Sequence, residues 1–227
     1  MFILRIFYYV IFNFTYKMVK PDSLIFDLDG TLWDALDTYL ASWNEGVKAE
    51  NLNRIFTRAD LHHVMGWERS AVLNHMFPGT SKERQEEIYH TINEFRIKLM
   101  PEMGGVLYDG VREGLMKLAD KYRLLIVSNC PKNLIVEFMK WADIEQYITD
   151  EMAHGVNSMP KHHNIKLLID KHNLQNPVYI GDTHGDSIET RKAGLPFVLL
   201  TYGFGTSDDY DLKFDDFESL TNYFISL

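Results

Sequence analysis

The sequence predicts an α/β fold, a mostly parallel sheet whose first strand is followed by a helical insertion. Two patterns carry that expectation. Short apolar runs alternate with stretches of helical period along most of the 227 residues. Residues 35–101, by contrast, hold helical spacing and no convincing β run. Composition agrees, because 46% hydrophobic and 24% charged residues describe a globular chain. The length allows one large domain, or one domain with a modest second one.

Residues 1–16, MFILRIFYYVIFNFTY, form an apolar and aromatic run broken by Arg5 and Asn13. A signal peptide would place basic residues first and a small-residue cleavage site after the run. A membrane span would need roughly 20 apolar residues. The favoured reading is a start at Met18, with a short membrane-facing anchor as the second reading. Residues 1–17 are therefore set apart, and no membrane association is expected unless they are a real anchor. Residues 23–28 (SLIFDL) then read as a buried strand between Pro21 and Gly30.

In the insertion, Tyr39, Trp43 and Val47 repeat at four-residue spacing. A helix over residues 81–100 opens on Ser81 and carries Ile88, Ile92, Phe95 and Leu99. Met103-Gly104-Gly105 reads as the linker back to the sheet. Beyond it, residues 123–128, 177–180 and 196–201 read as further strands. Helices are expected over 111–122, 131–141, 162–172 and 215–224, with Pro131 suited to a first helical turn.

There are 32 acidic and 23 basic residues, for a formal charge of −9. Such a chain is not a general nucleic-acid binder, which needs basic patches against phosphates. A small basic pocket for one phosphorylated ligand remains compatible. The single cysteine, Cys130, excludes an intrachain disulfide framework and a Cys-based zinc ribbon. It fits a reducing compartment, and the expected location is the cytoplasm.

Four motifs carry candidate chemistry. Asp27-Leu28-Asp29-Gly30-Thr31 lies where the first strand ends. Two carboxylates there can approach one bound group, one as nucleophile and one as proton donor and acceptor. The plain alternative is a strand-ending turn. Ser128-Asn129 ends a later strand and suits either a phosphoryl oxygen or an ordinary helix cap. Lys161 could neutralise a nucleophilic carboxylate and a phosphate together, or be a solvated surface lysine. Gly181-Asp182-Thr183-His184-Gly185-Asp186 follows the strand at 177–180. Its paired carboxylates suit a hard cation such as Mg²⁺, or simply an acidic first helical turn. All four motifs fall at predicted strand or loop ends on one side of one parallel sheet, where ligands of such sheets bind.

In order and position these motifs resemble those of the haloacid dehalogenase-like hydrolase superfamily. DLDGT matches its D-x-D-G-T signature, and the others match its Ser/Thr, Lys and paired-acid motifs. The resemblance spans residues 19–205. The finer likeness is to the phosphoglycolate phosphatase-like branch, with Asp109-Gly110-Val111 where that branch has P-G-V. It implies a Rossmann-like core from residues 18–34 and 106–227, with a helical cap over 35–105. It also implies a Mg²⁺-dependent phosphatase for a small phosphorylated metabolite, phosphoglycolate-like, acting through an aspartyl phosphate. Asp27 would be the nucleophile and Asp29 the acid and base. Lys161 would balance charge, and Thr31, Ser128 and Asn129 would hold the phosphoryl group. The implied metal set is Asp27, Asp29 through its backbone carbonyl, Asp182 and Asp186.

Asp29 argues against a dehalogenase, because those members of the superfamily lack this second aspartate. Cys130 does not open a Cys-x₅-Arg phosphate cradle, since position 136 is Val136. A sugar phosphomutase is the first alternative, but residues 33–39 (WDALDTY) lack the histidine that such mutases carry there. A non-catalytic binding module is the second, and it would be expected to have lost one of these acids. No role is assigned to His184. Trp33 and Asp34 are placed at the entrance to the insertion, and residues 202–205 in a loop after the last core strand.

Overall fold

The chain, described over residues 18–227 of a computed structural model, begins with β1 (Ser23–Phe26) and β2 (Trp33–Asp34). Four helices follow, α1 (Leu36–Ala49), α2 (Arg58–Val64), α3 (Arg69–Met76) and α4 (Lys82–Met103). Next come β3 (Val106–Leu107), α5 (Val111–Ala119), β4 (Arg123–Ser128) and α6 (Leu134–Ala142). After these are β5 (Asp150–Ala153), α7 (His154–Asn157), α8 (Lys161–His172) and β6 (Pro177–Gly181). The chain ends with α9 (His184–Ala193), β7 (Phe197–Leu200), β8 (Leu212–Phe214) and α10 (Phe217–Ser226). The expectations about residues 1–17 fall outside the described residues. Among the described residues no helix is long and apolar enough to cross a membrane.

Six strands form one parallel sheet in the order β5-β4-β1-β6-β7-β8. The central strands are buried on both faces, so they read as continuous apolar runs. Strand alternation divides their side chains between two layers. Leu24, Phe26, Leu124, Ile126, Val178 and Ile180 pack on one face with residues of α5, α6 and α10. Ile25, Leu125, Val127 and Tyr179 pack on the other with Ile165 and Leu168 of α8.

Register positions the site. Phe26 pairs with both Ile126 and Ile180. The residues just past β1, the end of β4 and the residues just past β6 therefore share one edge. Asp27, Ser128 and Asp182 leave the sheet together there.

Helices α1–α4 are inserted between β2 and β3, which pair antiparallel through Trp33↔Leu107 and Asp34↔Val106. They have an apolar cluster of their own, including Trp43, Phe56, Leu61, Phe77, Ile88 and Ile92. Trp43 stacks on Phe77 with centroids 5.9 Å apart and meets Phe56 edge-on at 5.2 Å. Gly46 lets α1 approach α4, since a Cβ there would lie 2.5 Å from Ile92 Cγ1. Ser81 caps α4 by accepting from the Arg84 amide at 3.3 Å.

Several elements differ from expectation. The α6 helix starts at Leu134 rather than Pro131, because Asn133 takes a left-handed backbone at φ 71° and breaks the run. β1 stops at Phe26, because the Leu28 carbonyl opens a turn to the amides of Thr31 and Leu32. In α4 the most buried stripe is Ile88, Ile92, Arg96 and Met100, with Phe95 and Leu99 only half-buried. β5 (DEMA) and β8 (LKF) occupy the two sheet edges and carry no apolar run to announce them.

Candidate active site

The turn after β1 is built around Gly30. Its φ is +86°, and a Cβ there would lie 2.2 Å from Asp182 Oδ2, so only glycine fits without displacement. Asp27 is fixed first, its amide donating to the Ile180 carbonyl at 2.8 Å. Its carboxylate is buried and faces Lys161 Nζ at 3.0 Å, a close ion pair that leaves Oδ1 without an aligned hydrogen bond. Burial pushes the Asp27 carboxyl up to about 7, with Lys161 opposing the rise and Asp186 adding to it.

Asp29 points toward the insertion. Its Oδ1 accepts from Trp33 Nε1 at 3.0 Å and from the Tyr39 hydroxyl at 2.7 Å. Desolvation pushes this carboxyl up to about 6 against those two hydrogen bonds.

Lys161 opens α8 and is almost wholly buried. Its Nζ lies 2.5 Å from Asp186 Oδ1 as well as against Asp27. Burial alone would lower its pKa, yet Asp186 and Asp27 hold it well above the ordinary lysine range. The ammonium is therefore a permanent charge here, not a solvated surface group.

Asp182 follows β6. Its Oδ1 accepts from the Thr31 hydroxyl at 3.1 Å and its Oδ2 from the Phe204 amide at 2.7 Å. Thr31, expected at the phosphoryl group, thus spends its hydroxyl on Asp182. Burial, then Asp186 and Asp27, push the Asp182 carboxyl well above its usual range. Asp186 closes a capping box at the start of α9, its Oδ2 accepting from the Thr183 amide at 3.0 Å and the Thr183 hydroxyl at 2.6 Å. Asp186 thus stands in the acidic first turn of α9 as well, while its other oxygen faces Lys161.

One carboxylate oxygen from each of Asp27, Asp182 and Asp186 lies within 4.8 Å of the others. Three buried carboxylates cluster with one ammonium, which lies against Asp27 and Asp186, so negative charge is in surplus out of water. All the ligand atoms are oxygens, and each carboxylate oxygen has lone pairs beyond its present bonds. This donor set fits a hard divalent cation such as Mg²⁺. The Asp29 side chain stands outside the cluster.

Ser128 and Asn129 line the same cavity as Asp27, Asp29 and Lys161. Asn129 Nδ2 donates to the Gly66 carbonyl at 3.2 Å, tying the sheet edge to the turn between α2 and α3. The cavity, about 130 Å³, extends from the acids into the insertion, where Trp43, Tyr89 and Arg96 wall it. His184 faces Ser207 at 3.4 Å and takes no part in the acidic cluster. Burial pushes the Cys130 thiol up, which keeps it protonated and unreactive.

Three residues beyond the motifs also shape this site. Tyr39 stands in a helical repeat whose spacing carries no signal of the Asp29 carboxylate its hydroxyl reaches. Phe204 lies in the loop the sequence predicts, and its amide holds Asp182. Arg96 did leave a signal, as a charge at four-residue spacing among Ile88, Ile92 and Met100.

A parallel sheet that gathers acids and a lysine around a small cavity at the carboxyl ends of its strands is built as a small-molecule enzyme. The chain belongs to the haloacid dehalogenase-like hydrolase family, whose model matches residues 24–200. It is similar to the phosphoglycolate phosphatase of Colwellia psychrerythraea, with 28% identity over 212 residues, covering 85% of this chain and 90% of that one. A pyrophosphatase of Listeria innocua is 25% identical over 191 residues, covering 79% and 85% respectively. Among solved structures, a haloacid dehalogenase-like family hydrolase from Streptococcus pneumoniae superposes with TM-score 0.80 at 20% identity, covering 91% of this chain and 100% of that one. That last likeness speaks for the fold.

Proposed function

We propose that this chain is a Mg²⁺-dependent phosphatase that hydrolyses a small phosphorylated metabolite, a phosphoglycolate-like phosphomonoester, through an aspartyl phosphate. The observation that carries the reading is Asp27, buried against Lys161 at 3.0 Å and opening on the cavity that Asp29 also lines. The phosphoglycolate phosphatases among the relatives support the substrate class.

An Asp27 oxygen attacks phosphorus, the ester P–O bond breaks, and Asp29 gives its proton to the departing alkoxide. Asp29 then takes a proton from water. The water oxygen attacks phosphorus, the bond to Asp27 breaks, and phosphate leaves. Tyr39 and Trp33 both bond Oδ1 of Asp29, which leaves Oδ2 to carry the proton. Lys161 holds Asp27 in place and offsets its charge as a phosphate dianion approaches. Ser128 and Asn129 hold the phosphoryl oxygens. Thr31 serves the phosphoryl site through Asp182, which it orients. Mg²⁺ held by Asp27, the Asp29 carbonyl and Asp182, with Asp186 in support, would screen repulsion between carboxylate and phosphate. Helices α1–α4 act as a cap that shelters the reaction from water.

Phosphate release from 2-phosphoglycolate, with Mg²⁺ and with excess EDTA, tests this directly. Release should need Mg²⁺ and should fall at least ~10³-fold in Asp27→Asn with the fold intact. Full turnover in EDTA, or by Asp27→Asn, would overturn it.

A further inference from the structure

Arg96 stands in the buried stripe of α4 between Ile92 and Met100 and is 5% exposed. Nε, Nη1 and Nη2 of its guanidinium all lack a hydrogen-bond partner among the described residues. One turn earlier on the same helix, Asn93 Oδ1 is also buried and unpartnered. Both residues line the cavity that contains Asp27 and Asp29. The other two cations on its wall are paired. Lys161 faces Asp27 and Asp186, and Arg69 meets Glu86 at 3.6 Å.

A buried charge without a partner is costly to a fold. An apolar side chain at position 96 would simply continue the row of Ile88, Ile92 and Met100. Its charge favours the Asp29 carboxylate, but no hydrogen bond among the described residues holds the guanidinium, so its hydrogen-bond partner must come from the cavity. A guanidinium presents a planar fork of donors that matches a carboxylate or phosphate with two parallel hydrogen bonds. The wall also includes apolar Trp43, Leu61, Val64 and Val72. The space, about 130 Å³, admits only a small guest.

We propose that Arg96, assisted by Asn93, binds a second anionic group on the substrate, at the end that is not transferred. The preferred substrate class is then a short phosphate ester or anhydride with a carboxylate or another phosphoryl group at its far end. This rests on the reading of Asp27 as the phosphoryl-accepting residue. Because α4 lies in the insertion and Asp27 on the sheet, such a ligand ties the two together, and a monoester lacking the second charge does not.

The experiment compares wild type, Arg96→Met and Arg96→Lys, all as the full chain with Mg²⁺. The substrates are 2-phosphoglycolate, pyrophosphate and ethyl phosphate. Arg96→Met should lose ~100-fold or more in kcat/KM on at least one of the two anion-bearing substrates, and at least ~10-fold less than that on ethyl phosphate, whose loss reports only the effect of the charge on Asp29. Whichever substrate suffers identifies the group as carboxylate or phosphoryl. The melting temperature of Arg96→Met should equal or exceed that of wild type, and Arg96→Lys should recover part of the loss. Equal losses on all three substrates, or no loss on any, would overturn the proposal. If Arg96→Met fails to fold, Arg96→Lys decides by the same selective loss.

Should wild type release phosphate from none of them, the phosphatase reading fails separately. Calorimetric titration of 2-phosphoglycolate, pyrophosphate and ethyl phosphate then tests Arg96 alone. Preferential binding of an anion-bearing ligand that Arg96→Met abolishes supports the subsite, and binding without preference removes it.

Discussion

Asp29 shows how much one side chain depends on its neighbours. Its Oδ1 takes hydrogen bonds from Trp33 and Tyr39, which come from the two sides of the entrance to α1. Hydrogen bonds to charged groups are worth about 1.5–3 kcal/mol. Tyr39→Phe should therefore lower kcat roughly 10- to 100-fold while leaving KM within about threefold, as steady-state kinetics on 2-phosphoglycolate would report. An unchanged kcat would show that Trp33 alone orients the acid. Gly30 is the other sensitive position. Its Cβ would enter the Asp182 carboxylate from a backbone that L-residues rarely adopt. Gly30→Ala should cost about 2 kcal/mol or more, read from urea unfolding, and a variant as stable as wild type would contradict that geometry.

Two helix contacts carry separate expectations. Helices α8 and α9 present Lys161 and Asp186 to each other, and Glu189 braces them. It accepts from the His162 amide at 3.0 Å and from Lys192 at 2.8 Å, and its second contact to His162 is 2.7 Å. Partial burial would raise its pKa, but Lys192 and His162 hold it down to about 2, from 4.5. A depressed folded-state pKa stabilises above the unfolded value and loses that contribution as pH falls through the folded one. Glu189→Gln should thus lower the melting temperature at pH 7, by a margin that shrinks as pH falls from about 5 toward 3. A constant margin would mean that the ion pair contributes nothing. Between α1 and α4, Gly46 sits against Ile92. Gly46→Val should cost about 1–3 kcal/mol by overpacking. Hydrogen exchange should rise in α1 and α4 while the sheet amides stay protected.

At the scale of the whole molecule, charge surplus dominates the site. Asp27, Asp182 and Asp186 cluster out of water with Lys161 against only the first and last, so a ligand cation should stabilise the fold as well as permit turnover. Millimolar Mg²⁺ should raise the melting temperature of wild type by a few degrees, and Asp182→Asn should abolish most of that rise. An equal rise in both proteins would place the cation elsewhere.

Where the sequence was readable, the reason is local. Central strands are buried on both faces, so SLIF, RLLIV and PVYI announce themselves without reference to partners. Once those runs are placed, Asp27, Ser128 and Asp182 fall at strand ends by counting. The edge strands DEMA and LKF stayed hidden because one-sided pairing, not composition, makes them strands. The start of α6 was missed because Asn133 adopts a backbone that its residue type tolerates but does not require.

By itself, then, the sequence determined the α/β class, the helical insertion and the residues that line the strand tips. Those properties follow from burial and period within a few consecutive positions. Only the tertiary structure decided that Thr31 donates to Asp182, that Tyr39 and Trp33 share one oxygen of Asp29, and that the Arg96 guanidinium lies buried with no hydrogen-bond partner among the described residues. Each of these depends on where side chains from separate elements meet in space, and the distances between them are set by packing, which no local pattern encodes.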